Sequence, residues 1–380
     1  AIYFMDKPKQ VVFGLVIYTI SVAIANIQNS FEIVFYSLNN FRVISFGRII
    51  ERTTLFLLGV YSILITKNFI FFISTHLISQ SLHFVFIYFN SKKFVKTSIK
   101  CDFVVWKEFI SRGIPLALTS FFYFTYFKID IIILSIMLND QVVGWYSASY
   151  RLLELFLFVP YILSYSVFPS IFRFHEVNKE VSNQIFSRTS KLLIVLSIPI
   201  LLGVFSLAPE IINLVYGAEF IQSVLPLRII ILSLPFIFLH QLFRFIFYSS
   251  NKEVPYLFIL VALSVFNIIA NYVFINLFGF IAAAWTTLAS EFIGFVLMYG
   301  FIKKEGFELG VKENYKSLFR LILCLAFLFF FASYYLSAKI AAIIIIIVYL
   351  IVVFFTELNE DDKSVLVSVI KEVFKGVAKK

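Results

Sequence analysis

Cysteine and charged residues are scarce in this sequence. Only two cysteines occur among 380 residues, and charged residues make up 14%. Cys101 lies in a polar stretch and Cys324 in an apolar one, so we expect neither a disulfide framework nor a cysteine metal site. His76 and His83 share a helical face without supporting ligands, so no metal is predicted. The motifs of common hydrolases, nucleotide enzymes and zinc proteases are absent, and neither an enzyme nor a cofactor is expected.

Apolar residues are abundant instead. They make up 61% of the chain, and the mean hydropathy is +0.95. A soluble protein of this length could not bury so many apolar side chains. The apolar runs reach the ~20 residues that a transmembrane helix needs and lack the alternation of membrane strands. The composition therefore predicts an all-α integral membrane protein.

Polar residues divide the chain into eleven apolar segments, and each segment is predicted to be a transmembrane helix. The segments are residues 10–31, 41–66, 68–90, 113–138, 142–171, 187–208, 223–249, 254–276, 279–302, 315–336 and 338–356. Four of these helices contain a proline that we expect to interrupt and bend them. The four prolines are Pro115, Pro160, Pro199 and Pro235.

Part of the sequence occurs twice. The segment FEIVFYSLN at 31–39 returns as FRFIFYSSN at 243–251, and residues 75–93 match residues 286–304. The offsets of 212 and 211 residues are nearly equal, which indicates an internal duplication. The first and third helices then correspond to the seventh and ninth. A complete ancestor would have two six-helix lobes and two further helices, so we expect three helices to be missing from the front of this chain.

The duplication divides the chain into five predicted regions. They are an incomplete N-lobe of three helices (1–95), a basic cytoplasmic linker (96–112), a six-helix C-lobe (113–303), two extra transmembrane helices (304–356) and a cytoplasmic amphipathic tail (357–380). In the tail, one apolar face is flanked by lysines, which is typical of a helix lying on a membrane surface. A helix surrounded by solvent is the alternative.

Basic residues are concentrated in alternate loops. These loops contain Arg42, Arg48 and Arg52; Lys92, Lys93, Lys96, Lys100 and Lys107; Arg173, Lys179, Arg188 and Lys191; Lys252; and Lys303, Lys304, Lys312 and Lys316. Lysine and arginine are retained on the cytoplasmic side, so we expect a multi-pass protein of the cytoplasmic membrane with its C-terminus in the cytoplasm. This asymmetry accounts for the net charge of +10, and no nucleic-acid partner is expected.

Charged residues inside the predicted spans are candidates for function, because each costs about 3 kcal/mol or more at mid-bilayer unless it faces a cavity or a partner. Four of them are expected at similar depth in one helical hairpin: Lys128, Asp130, Arg151 and Glu154. One interpretation is an ion-pair cluster that locks the hairpin. The other assigns substrate headgroup contacts to Lys128 and Arg151, and ion or proton coupling to Asp130 or Glu154.

The repeat relates further polar residues in the two lobes. Glu32 corresponds to Arg244, Gln28 and Asn29 to His240 and Gln241, and Gln80 to Glu291. We predict that Arg244 contacts the substrate or, alternatively, extends toward the inner membrane surface. Gln28, His240 and Gln241 are predicted to line the same cleft. Glu32 and Glu291 are candidates for ion or proton coupling.

Several short motifs occur in order along residues 113–171. Pro115 lies near the start of a helix that contains Lys128-x-Asp130, and Val143-Gly144-x-Tyr146 and Arg151-x-x-Glu154 follow. In this order they resemble the polysaccharide-transport family of the multidrug/oligosaccharidyl-lipid/polysaccharide (MOP) exporter superfamily, and the resemblance covers essentially the whole chain. It implies a MATE-like fold of two helical lobes, with about eleven transmembrane helices here of fourteen in a complete member, so that this chain is N-terminally truncated.

The resemblance also implies a function. Such proteins are flippases that translocate polyprenyl-diphosphate-linked oligosaccharide repeat units by alternating access, for O-antigen, capsule or exopolysaccharide synthesis. The expected partners are this lipid-linked oligosaccharide, membrane lipids, a polysaccharide polymerase and glycosyltransferases. The alternatives are a lipid II-type flippase, an ion-coupled multidrug exporter of the same superfamily, and a truncated membrane protein without transport activity.

Overall fold

The computed structural model describes residues 9–38, 40–94 and 102–310. These residues form helices joined by short turns, and no strand occurs among them, which confirms the all-α prediction. The predicted helices at 315–336 and 338–356 and the predicted tail lie outside the described residues. The first part of the predicted linker also lies outside them.

The described residues contain eleven α-helices. These are α1 (Lys9–Ser37), α2 (Phe41–Tyr61), α3 (Phe69–Ser91), α4 (Phe103–Met137), α5 (Asp140–Glu154), α6 (Phe158–Val177), α7 (Lys179–Tyr216), α8 (Val224–Ile231), α9 (Leu234–Ser249), α10 (Glu253–Phe278) and α11 (Ile281–Lys304). Eight segments are long and apolar enough to cross a membrane, with α5 and α6 counted as one, and α8 and α9 together form a ninth. Each matches one of the predicted spans, so the chain is a multi-pass membrane protein.

Asparagine and glycine define several of the turns between helices. Asn68, Asn139 and Asn178 precede α3, α5 and α7, and their side-chain oxygens accept hydrogen bonds of 2.9–3.2 Å from N–H groups of the first turn. Gly217 and Gly279 follow α7 and α10 with φ angles of 87° and 71°. Glycine adopts these angles without a steric penalty, so the chain can reverse directly after each helix.

One span is bent, and another contains a 3-10 turn. A 3-10 turn at Leu155–Leu157 separates α5 from α6, and a bend of 51° separates α8 from α9. Pro160 and Pro235 lie in the first turns of α6 and α9, where a missing N–H group is tolerated. In contrast, α4 and α7 continue through Pro115 and Pro199, so the expected interruption of those two helices is wrong.

The described residues form two compact units that divide between Phe103 and Val104. In the first, called unit 1, α3 packs along both α1 and α2. Its small core contains Phe35, Ile44 and Ile87. The described part of unit 1 therefore has three helices, with α3 packed between α1 and α2.

The second, called unit 2, comprises α4 to α11 and has a much larger core. Its central helices α7 and α11 each contact both α8 and α9. Leu193, Ile230, Phe238 and Leu242 are completely buried there. The α5–α6 span packs along the bent α8–α9 span, because α5 contacts α8 and α6 contacts α9.

Candidate functional site

The predicted repeat is visible in aromatic packing. Three rings from α1 and α3 contact one another in unit 1, and three rings from α9 and α11 do so in unit 2. They are Phe31, Phe84 and Tyr88 in unit 1, and Phe243, Phe295 and Tyr299 at the corresponding positions of unit 2. The centroid distances are 6.0, 5.3 and 5.8 Å in unit 1 and 6.0, 6.3 and 5.8 Å in unit 2. Corresponding residues thus make corresponding contacts, as an internal duplication requires.

The same helix pairs share a buried polar contact. In unit 1, Gln80 Nε2 donates a hydrogen bond to Gln28 Oε1 at 2.5 Å. In unit 2 the corresponding residues are Glu291 and His240, and His240 Nδ1 lies 2.8 Å from Glu291 Oε2. His240 was predicted to line the cleft, and Glu291 was predicted to couple transport to an ion or proton. In the structure they form one pair.

Unit 1 also holds a buried histidine between two carboxylates. His83 Nδ1 lies 2.9 Å from Glu51 Oε2, and His83 Nε2 lies 3.5 Å from Glu32 Oε1. Glu32 additionally accepts a hydrogen bond of 2.9 Å from Gln28 Nε2. His83 is 1% exposed and Glu32 is 3% exposed. The imidazole lies against Gly47 of α2, where a Cβ atom would come within 2.5 Å of the ring.

Two arginines extend this cluster to the surface of unit 1. Arg48 Nη2 lies 3.5 Å from Glu32 Oε2, and Arg52 Nε lies 4.0 Å from Glu51 Oε1. Their side chains are 59% and 76% exposed. The expectation that both arginines lie in a loop is wrong, because they are seven and eleven residues beyond the start of α2. At 1.5 Å per residue, these positions are about 10 and 16 Å along the helix.

This cluster was not predicted from the sequence. His83 was weighed only as a metal ligand, and Glu51 was not among the predicted site residues. A signal was nevertheless present, because Arg48, Glu51 and Arg52 occur inside an apolar segment that was itself predicted to span the membrane. Residues separated by three or four positions lie on neighbouring parts of one helical face.

Arg244, the first of the predicted substrate contacts, lies beside a small cavity in unit 2. The cavity has a volume of about 10 Å³, enough for one water molecule, and Tyr123, Tyr126, His240 and Gln241 contribute to its lining. Gln241 Nε2 donates to Tyr123 Oη at 3.2 Å, and the Arg244 guanidinium lies 6.0 Å from the Tyr123 ring centre. Three of the predicted residues, Arg244, His240 and Gln241, therefore lie around one cavity.

The expected ion-pair cluster of the α4–α5 hairpin forms only in part. Lys128 Nζ contacts the Glu154 carboxylate and lies 4.7 Å from the centre of the Tyr150 ring. Arg151 is exposed, and Asp130 has other partners. One ion pair therefore connects α4 to α5, instead of the four charges expected from their similar depth.

Asp130 belongs to a buried polar group between α4, α5 and α11. It is 2% exposed and accepts hydrogen bonds from Tyr146 Oη at 2.5 Å and from Thr287 Oγ1 at 3.4 Å. Asn267 on α10 donates to Ser290 on α11 at 3.1 Å. Among the described residues no group of three or more His, Cys, Asp and Glu side chains is placed to hold a metal.

A bent span, matching aromatic contacts in the two units and buried charges within the spans are features of membrane transporter folds. The family model of polysaccharide biosynthesis proteins matches residues 3–225, so the chain belongs to this family.

A solved structure described as "Lipid II flippase MurJ, inward closed conformation" is similar to this chain, with a TM-score of 0.66 and 17% sequence identity. The alignment covers 90% of this chain and 72% of that chain. At this identity the similarity shows a shared fold, which confirms the predicted MOP-type transporter fold. No curated protein matches the chain.

Proposed function

We propose that this protein is a flippase that moves polyprenyl-diphosphate-linked oligosaccharide repeat units across the cytoplasmic membrane. The product would supply O-antigen, capsule or exopolysaccharide synthesis, with a polysaccharide polymerase and glycosyltransferases as partners. Its membership of the polysaccharide biosynthesis family and its fold, shared with a lipid II flippase, support this proposal. The C-terminus would lie in the cytoplasm, because the basic loops precede it.

The observation that carries the proposal is the placement of guanidinium groups within the spans of both units. Arg48 and Arg52 are exposed on α2, and Arg244 borders the small cavity of unit 2. A diphosphate is strongly hydrated and needs paired donors of positive charge when it leaves water. A guanidinium remains charged and presents donors that match phosphate oxygens.

The remaining predicted residues receive roles within this proposal. Lys128 and Arg151 would contact the headgroup near the α4–α5 hairpin, while Gln28, His240 and Gln241 would line the path. The carboxylates Asp130, Glu154, Glu32 and Glu291 would couple transport to an ion or proton. Glu32, Glu154 and Glu291 each contact a cationic or imidazole side chain, so entry of the substrate would change the partners of these acids.

Transport into sealed liposomes tests the proposal. The protein is reconstituted with a fluorescent lipid-linked oligosaccharide, and an impermeant quencher reports the fraction in the outer leaflet. We expect the protein to accelerate transfer between leaflets relative to protein-free liposomes. A transfer rate equal to that of protein-free liposomes would contradict a flippase.

The fold favours one alternative substrate, lipid II, because the similar structure is that of a lipid II flippase. The two substrates differ in their headgroups, since lipid II has a peptide and the repeat unit is an oligosaccharide alone. A competition experiment in the same liposomes separates them. Faster transfer of lipid II than of the oligosaccharide would favour the alternative.

A further inference from the structure

Five charged or ionisable residues form a continuous chain of contacts in unit 1. Their order is Arg48, Glu32, His83, Glu51 and Arg52, and we call them the charged chain. The two acids and the histidine lie inside the unit, whereas the guanidinium groups at both ends are exposed. The charged chain connects α1, α2 and α3.

We propose that His83 is a positioning residue that acts through Glu32 and Glu51. It holds the guanidinium groups of Arg48 and Arg52 as a paired binding site for a diphosphate group. This inference rests on the proposed function and assigns an additional part of its substrate site. Neither arginine needs to contact His83 directly. Glu32 lies between His83 and Arg48, and Glu51 lies between His83 and Arg52.

The positions of the arginines fit such a ligand. Residues four apart on a helix lie on one face at neighbouring turns, about 6 Å apart, so Arg48 and Arg52 can each bind one phosphate of a diphosphate. Arg52 is about 16 Å along α2, close to half the thickness of a bilayer core of about 30 Å. An exposed guanidinium at this depth is stable only where it faces water or a polar partner.

The two nitrogens of His83 explain its positioning role. Both face carboxylates, with Glu51 on one side and Glu32 on the other. The Glu51 contact is a hydrogen bond of 2.9 Å, and the Glu32 contact is longer, at 3.5 Å. Gln28 is the other polar group of α1 within reach, and Arg48 and Arg52 are the cations of α2 behind the acids.

Removal of the imidazole would therefore leave both carboxylates without their contact to His83. Each carboxylate would then attract its arginine more strongly and compete with a bound phosphate. Gly47 makes the arrangement possible, since a methyl group at this position would occupy the space of the imidazole.

Calorimetric titration of the purified full chain with inorganic pyrophosphate and with farnesyl diphosphate tests this site. The Arg48→Gln/Arg52→Gln double variant loses both charge-assisted contacts and should bind at least ~10-fold more weakly. His83→Gln should weaken binding severalfold. Gly47→Ala should produce the same loss with the histidine still present.

The matched control is His76→Gln on the same helix. His76 contacts the rings of Tyr18 and Phe72, with centroid distances of 5.6 and 6.4 Å, and is not part of the charged chain. Its variant should bind diphosphate as the unmodified protein does. Equal effects of His76→Gln and His83→Gln would overturn the positioning role.

Further results distinguish an error in the diphosphate site from an error in the proposed function. If the double arginine variant bound pyrophosphate as the unmodified protein does, the proposed diphosphate site would be wrong. The proposed flippase activity would not be contradicted by that result. Binding to vesicles of anionic phospholipid without binding to either soluble diphosphate would identify a lipid headgroup as the ligand and overturn the diphosphate assignment. Conversely, failure of oligosaccharide transfer in liposomes, with pyrophosphate binding preserved, would contradict the proposed function and not this site.

Discussion

The helix pair α1–α3 of unit 1 and the helix pair α9–α11 of unit 2 have the same aromatic contacts but hold their histidine on opposite helices. His83 on α3 occupies the repeat position of Gly294 on α11. His240 on α9 occupies the repeat position of Gln28 on α1. In both units the imidazole lies close to a glycine and contacts a glutamate. The comparison indicates that the buried contact between imidazole and carboxylate has been retained while the residues that supply it have changed.

The two units differ in the sign of one charge. Glu32 in unit 1 corresponds to Arg244 in unit 2. The glutamate is buried and contacts two cationic or ionisable groups, whereas the arginine is half-buried and lies 5.3 Å from the Phe245 ring centre. The charge of Glu32 is therefore neutralised inside unit 1, while unit 2 retains a cation beside aromatic rings. We expect the cation of unit 2 to be more sensitive to substitution in a transport assay.

The largest expected effect is at this position. Arg244→Ala should abolish surface polysaccharide in cells that depend on the protein, and Arg244→Lys should restore it in part, because the charge remains while the paired donors are lost. Polymer is measured at equal protein levels. Arg228→Ala is the matched control, since Arg228 is half-buried like Arg244 and donates to the backbone oxygen of Phe205 at 3.0 Å. Normal export by Arg244→Ala would exclude Arg244 from the substrate site.

The next largest expected effect concerns the three contacting aromatic rings of each unit. Phe243 is completely buried, so Phe243→Ala should lower the free energy of unfolding by about 3–5 kcal/mol. Phe31 is only partly buried, and Phe31→Ala should have a smaller effect. Unfolding of both variants in mixed micelles with dodecyl sulfate measures the difference. A larger effect at Phe31 would contradict burial as the source of the difference.

A reciprocal exchange sharpens the comparison of the histidines. A Cβ atom at Gly294 would lie 3.0 Å from His240 Cε1, so Gly294→His should destabilise unit 2 by about 1–3 kcal/mol. Adding His240→Gln reproduces the unit 1 arrangement and should recover most of that loss. Thermal unfolding in detergent is the measurement. Gly300→His on the same helix is the control, because a Cβ atom at Gly300 meets nothing within 4 Å.

The smallest expected effect concerns a pair of repeat-equivalent threonines. Thr75 Oγ1 donates to the backbone oxygen of Phe72 at 2.6 Å, whereas the buried Thr286 hydroxyl has no hydrogen bond within the described part of the chain. Thr75→Val should therefore cost about 1 kcal/mol, and Thr286→Val should be neutral or slightly stabilising. The same unfolding assay compares them. A greater loss for Thr286→Val would show that this hydroxyl has a partner in the membrane.

Much of the fold was predictable because apolar length and polar interruptions determine where helices can span a bilayer. The bend between α8 and α9 was only partly visible, since residues 223–249 are mainly apolar and Pro235 was taken as the indication of a break. The partners of Asp130 were not predictable, because Thr287 is 157 residues away in the chain. Likewise, His83 meets Glu51 and Glu32 only through the packing of three helices.

The packing around the α8–α9 bend has a consequence for unit 2. At this bend, the N–H group and the hydroxyl of Ser233 both bind the carbonyl of Ile230, at 3.0 and 2.6 Å, so polar backbone groups are satisfied without a continuous helix. Since α5 packs on α8 and α6 packs on α9, one long span, Asp140–His175, contacts both halves of the bent one. This span therefore braces the bend on both sides of Ser233.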